Sequence, residues 1–149
     1  MQGQFHINKN GIIGKEIKLD RKNYDSARYY LTEYIRYSRN SPSSRKLNRL
    51  AHGLVGQTRL YIETKEALKA KISADSAAII IAQLQSPKLR VKLLENYSNY
   101  YALIQDYKEA LRYYQKKENL RDSITRLELR EKIEIVDARY KTEKQDNEI

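Results

Sequence analysis

The sequence predicts an all-α fold of antiparallel helix pairs that ends in one long helix, and three observations predict it. Only two prolines and five glycines are spread over 149 residues, which leaves few places to break a helix. The one continuous apolar run, residues 77–82, sits among alanines and helix formers, so strand signals are scarce. Between Leu94 and Ile124 two helical patterns meet at a short polar elbow, Gln105-Asp106. The first carries Leu94, Tyr97, Ser98 and Tyr101 on one face, and the second carries Tyr107, Ala110, Leu111 and Tyr114. Small residues at Ser98 and Ala110 let two helices approach closely while the tyrosines fill the space around them.

Taken in order, residues 1–11 are polar and rich in Gly and Asn, and are expected to be disordered or a cloning remnant. Ile12–Leu19 has the spacing of an incomplete helix. A clear helix opens at Tyr24, with Tyr24, Ala27, Leu31, Tyr34 and Ile35 on one face, and ends at the Asn40-Ser41-Pro42-Ser43 break. Ser43 or Ser44 caps the next helix, which runs to about Ile62 and buries Leu47, Leu50, Ala51, Leu54, Thr58 and Tyr61; Gly53 and Gly56 within it permit close packing. A third helix, from about Thr64 to Leu84, carries an alanine stripe at Ala67, Ala70, Ala74, Ala77 and Ala78, with Ile79-Ile80-Ile81 expected to be buried on more than one side. Ser86-Pro87 breaks the chain and starts the fourth helix, since proline at the first helical position needs no amide donor. From Tyr107 to about Glu143 there is neither proline nor glycine. Leu120, Ile124 and Leu127 form one short coiled-coil-like seam there, and Leu129, Ile133, Val136 and Tyr140 form a second, offset by two residues. Such a rod is too long for one preceding helix pair to bury, so part of it projects or pairs with a second copy as a homodimer; otherwise it caps the last repeat.

Three alanine-centred segments recur. Ala27 lies in NYDSARYYL, Ala67 in ETKEALKAK and Ala110 in DYKEALRYY, at separations of 40 and 43 residues. The middle one has no tyrosine before its alanine and carries Lys71 where a large apolar residue is expected; the last has Lys117 where a small residue packs. The aromatic-small-aromatic pattern followed by Tyr-x-x-Ala resembles tetratricopeptide helix pairs. More closely, residues 106–149 resemble the end of the tetratricopeptide sensor region of bacterial signalling proteins, in the Arg121-Asp122-Ser123-Ile124 motif and the segment from Ala138 to Lys144. The resemblance implies a right-handed superhelix of helix pairs over residues 12–118, an extended helix over 119–149, and a protein- or peptide-binding role in signal transduction or transcription regulation. It also implies an extracytoplasmic domain of a membrane-linked protein, with a membrane helix and a histidine kinase or LuxR-type module following in relatives.

The chemistry of an enzyme is not visible. Catalytic groups would have to come from serines, surface carboxylates and two histidines, and neither His6 nor His52 has an acidic residue at helical spacing on its own face. No phosphate-cradling glycine loop is present, cysteine is absent, and no metal or other cofactor is expected. No run reaches the roughly 20 apolar residues a membrane helix needs, so no membrane insertion by this chain is expected. The net charge of +10 is concentrated in residues 1–65, with a balance of +8, which invites an acidic partner there. Arg45, Arg49, His52 and Arg59 lie on one side of the second helix, opposite its apolar face. In tetratricopeptide arrays the first helix of each pair lines the groove, and the corresponding positions on the fourth helix include Lys92, Glu95, Asn96 and Asn99. The expectation is an acidic or carboxylate-ended peptide held by the arginines, with Asn96 and Asn99 on its backbone; the competing reading is a solvated face. Tyr30, Tyr100 and Tyr113 are the tyrosines expected to face outward. A stand-alone adaptor is the alternative to a sensor domain, and a basic nucleic-acid-binding helical domain is the third, without a recognition motif to carry it.

Overall fold

The computed structural model describes residues 24–40 and 45–147. The readings placed on residues 1–11, Ile12–Leu19, His6 and Ser43 or Ser44 lie outside them. Five α-helices follow one another: α1 (Tyr24–Asn40), α2 (Lys46–Glu63), α3 (Ala67–Gln83), α4 (Pro87–Leu103) and α5 (Tyr107–Asp146), with no strand among the described residues. The fold is all-α, as the sequence predicts, and the long last helix is one uninterrupted element through residues 118–119.

Local chemistry explains where the helices begin and end. Ser86 Oγ accepts the Leu89 N–H at 3.3 Å ahead of Pro87, and Asp106 Oδ1 accepts the Glu109 N–H at 3.3 Å. The α2–α3 and α4–α5 turns are the same turn. Lys65 (φ 60°) and Gln105 (φ 64°) adopt the left-handed conformation. The N–H groups of Glu66 and Asp106 each donate to a carbonyl five residues back, Tyr61 and Tyr101, at 2.8 Å. Lys65 N–H to Ile62 O (3.0 Å) and Gln105 N–H to Ala102 O (3.1 Å) complete two Schellman motifs.

This turn sets the repeat register, and it corrects the alignment made on the Glu-Ala-Leu triplet. Ala70 N–H donates to Glu66 O as Ala110 N–H donates to Asp106 O, so Ala70 is the counterpart of Ala110, 40 residues away. Ala27, Ala70 and Ala110 are all buried, whereas Ala67 is only half-buried. Counted from the turn, Lys71 falls opposite Leu111 and Ala77 opposite Lys117.

Each helix packs on the next, and α2 also packs on α4. Gly53 lies beside Ile35, and Leu60 clusters with Ala27 and Leu31, so α1 and α2 are antiparallel. Ser73 Oγ donates to Gln57 Oε1 (3.0 Å) across α2 and α3, and Ser98 Oγ donates to Ala110 O (2.8 Å) across α4 and α5. The Ser98–Ala110 contact is the close approach of small residues read from the sequence. α2 and α4 run side by side in the same direction. Ile35, Leu50, Ala51, Leu54, Ala77, Ile81, Leu89 and Leu93 form the main core where α1 to α4 converge. Ser38 and Thr58, both fully buried, donate to carbonyls one turn back in their own helices at 2.8 Å, so neither hydroxyl is left unpaired.

Several expected core positions are on the surface. Leu47 and Ile79 are exposed, and Leu60 rather than Tyr61 is the fully buried residue near the end of α2. Tyr107, Leu111 and Tyr114 are exposed as well, leaving Ala110 and Lys117 as the buried residues of α5. The reason is geometric. Ala110 turns toward α4, and the three large side chains stand on a side of α5 that no described helix covers.

Candidate partner-binding surface

The offset of 40 residues that relates the two turns also relates α2 to α4. It places His52 beside Lys92 and Arg59 in the position of Asn99. Arg45, Arg59, Lys92 and Asn99 are exposed, while Arg49 and His52 are half-buried. Burial, and after it the neighbouring Lys92 charge, holds the His52 imidazole below its ordinary value, so it is neutral at pH 7. Arg49 lies near the α1–α2 seam, where its charge acts on the Tyr34 hydroxyl; burial outweighs that charge and raises the hydroxyl. Among the described residues Arg49, Arg59 and Lys92 have no carboxylate at ion-pairing distance, whereas most other pairs join neighbours on one helix.

Asn96 departs from its expected role. It is buried, and its Nδ2 donates to Val55 O at 3.0 Å. It ties α4 to α2 from inside rather than facing a ligand. Thus α2 and α4 bring His52 and Lys92 together, while Arg49 lies toward α1, with Arg45, Arg59 and Asn99 further along the two helices and Glu95 exposed one turn from Lys92.

The seven residues read as a pairing helix separate into two groups. Leu120 and Ile124 are half-buried, and Lys88 at the start of α4 pairs with Glu128 of α5 at 3.6 Å. Leu127, Leu129, Ile133, Val136 and Tyr140 are exposed. Past Glu128 the helix continues for a further length of about 27 Å at 1.5 Å per residue.

Sequence reasoning missed a cluster where α3, α4 and α5 meet. Tyr97 OH donates to Asp75 Oδ1 at 2.7 Å, and Lys71 Nζ donates to both oxygens of the same carboxylate at 2.7 and 2.8 Å. Burial, followed by the bond to Asp75, raises the Tyr97 hydroxyl far above its usual range. Tyr113 stacks on Tyr97 (5.2 Å) and Tyr101 (5.4 Å), with Arg112 and Lys116 against its ring. Tyr113 is therefore a packing residue, while Tyr30 is exposed and Tyr100 is half-buried with its edge to Tyr101. The Lys71/Asp75 spacing of four was the available signal, but the three-residue error in repeat phase hid which helix it would face.

Among the described residues no group of three or more His, Cys, Asp or Glu could hold a metal ion, and no helix is long and apolar enough to cross a membrane. Comparison with protein-family models, with curated proteins and with solved structures finds no match to this chain.

Proposed function

We propose that this chain is a tetratricopeptide-like domain that binds a protein or peptide, the sensory or interaction part of a bacterial signal-transduction or transcription-regulatory protein. The supporting observation is the set of cations without carboxylate partners on two helices that pack together: Arg49 and Arg59 on α2, and Lys92 on α4 beside neutral His52. Cations at fixed spacing with no internal partner favour an acidic or carboxylate-ended segment laid along α2 and α4. Occupancy is read out through α4, the helix that touches α2, α3 and α5. A shift of α4 moves the Ser98–Ala110 contact and the tyrosine stack, and with them the direction of α5 and its association with a second copy.

The test is binding of a fluorescein-labelled acidic hexapeptide with a free C-terminal carboxylate. Replacing Arg49 and Lys92 with Glu weakens it by at least about tenfold, as loss of two charge contacts implies, with the helical content unchanged. Equal affinity in the double variant removes the basis of the reading. A single-stranded 12-mer that binds more tightly than the peptide, with a steep salt dependence, would turn the surface into a nucleic-acid face instead.

A further inference from the structure

α1, α3 and α5 carry Ala27, Ala70 and Ala110 at one register position, and α1 and α3 each pack against the following helix, α2 or α4. Four residues after the marker alanine stand Leu31, Ala74 and Tyr114. The first two are buried, and Tyr114 is 48% exposed. One residue after it stand Arg28, bound to Glu66 at 2.6 Å, Lys71, over the Tyr97 ring, and Leu111, 57% exposed. Three residues before it stand Tyr24, packed near Leu60, half-buried Ala67, and Tyr107, 65% exposed. Where α1 and α3 meet the helix that follows, α5 presents large apolar side chains that no described helix covers, Lys117 alone reaching over the Tyr114 ring.

The stripe does not stop at Tyr114. At about 100° per residue, Tyr107, Leu111, Tyr114, Leu129, Ile133, Val136 and Tyr140 fall within an arc of about 100° on one side of α5. That side lies roughly 120° round from the one that meets α4. Glu118, Asp122 and Thr125 occupy the same side between the two apolar segments. The order is self-complementary about residues 123–124. Inverted on itself, the helix sets Tyr107 against Tyr140, Leu111 against Val136 and Tyr114 against Ile133, with Leu129 falling against Glu118. On one shared edge it sets Asp122 beside Arg126 and Lys108 beside Asp137, opposite charges in each case.

We propose that α5 pairs antiparallel with α5 of a second copy of this chain, each taking on the other the place that α2 takes on α1 and α4 on α3. This deepens the reading of α5 as a self-association element and rests on it. A parallel pairing would use Leu129, Ile133, Val136 and Tyr140 but leave Tyr107, Leu111 and Tyr114 in water.

The chain has no cysteine, so introduced ones report cleanly, and Leu111 and Val136 are exposed. Light scattering of the full chain at about 0.1 mM, a concentration that populates contacts of modest affinity, should give twice the 17.6 kDa of one copy. Mixing the Leu111→Cys and Val136→Cys chains under oxidation should give a cross-linked dimer of one of each, with little from either alone. A dimer that cross-links through Val136→Cys alone overturns the antiparallel pairing and leaves self-association standing. A monomer overturns both. Loss of acidic-peptide binding in the Arg49→Glu, Lys92→Glu chain is scored on the same samples and does not require pairing, so failure of the pairing and failure of the peptide reading are told apart.

Discussion

Gly53 is where the packing of α1 on α2 leaves no room for a side chain, and Gly53→Ala tests that packing directly. A Cβ there would stand 2.8 Å from Ile35 Cγ1 and 2.9 Å from Tyr34 Cδ1. Both neighbours are buried, so neither side chain swings aside freely. Overpacking of this kind costs about 1–3 kcal/mol, and the helix-propensity gain of Gly to Ala returns about 1 kcal/mol. The net expectation is a loss of about 1 kcal/mol, a fall in melting temperature of roughly 2–4 °C for a chain of this length. Urea denaturation followed by circular dichroism measures it. A double-mutant cycle isolates the contact. Ile35→Ala alone costs about 2–5 kcal/mol, and in that background only the Tyr34 contact at 2.9 Å opposes Gly53→Ala, so its cost shrinks towards zero, a coupling of about 1 kcal/mol. If Gly53→Ala stabilises the parent chain by the full propensity gain, α1 does not approach α2 here as described.

Two further outcomes follow from the turns and from His52. Because Lys65 and Gln105 hold the left-handed conformation, which costs a residue with a Cβ about 1 kcal/mol, Lys65→Gly and Gln105→Gly should each stabilise by about 0.5–1 kcal/mol in urea melts; destabilisation by either would contradict the shared turn. His52 has a depressed value in the folded chain, so the unfolded chain takes its proton first, near pH 6.5. The contribution of neutral His52 is whole above that pH and is lost as pH falls through the lower folded value. The urea midpoint should therefore drop between pH 7.5 and 5 and drop less in His52→Gln, whereas an equal drop in both would assign the change to other groups.

What the sequence made legible was the local chemistry. Proline at Pro87, the polar elbow at Gln105-Asp106 and the small pair Ser98 and Ala110 each act through a few residues nearby, and each appears where its chemistry puts it. Phase was harder to read. The middle repeat has alanines at both 67 and 70, and a triplet match favours the first, but the left-handed residue at Lys65 selects the second. Side was harder still. Asn96 is polar and sits at a groove position, yet the carbonyl of Val55 is 3.0 Å away, a contact 41 residues distant in sequence that no local pattern encodes. Tyr107, Leu111 and Tyr114 have the spacing of a buried face, and spacing alone does not say whether a helix lies over it.

That last point bears on what α5 is for. The outer face of a capping helix is ordinarily polar, because it meets water. A cap would place Lys, Glu or Gln at the three positions where this chain has Tyr107, Leu111 and Tyr114, and the neighbouring surface of the same helix carries such residues: Lys108 and Arg112 stand between them, and Gln115 and Lys116 follow. Seven large apolar side chains on one side of a charged helix cost solubility unless something covers them. In the reading proposed above, that cover and the ligand meet different helices, α5 and the α2–α4 pair, with α4 touching both. A ligand on Arg49 and Lys92 and a second copy on Tyr114 are then linked by the position of one helix. Such linkage is reciprocal, so peptide should shift the dimer equilibrium by the same factor by which dimerisation shifts peptide affinity.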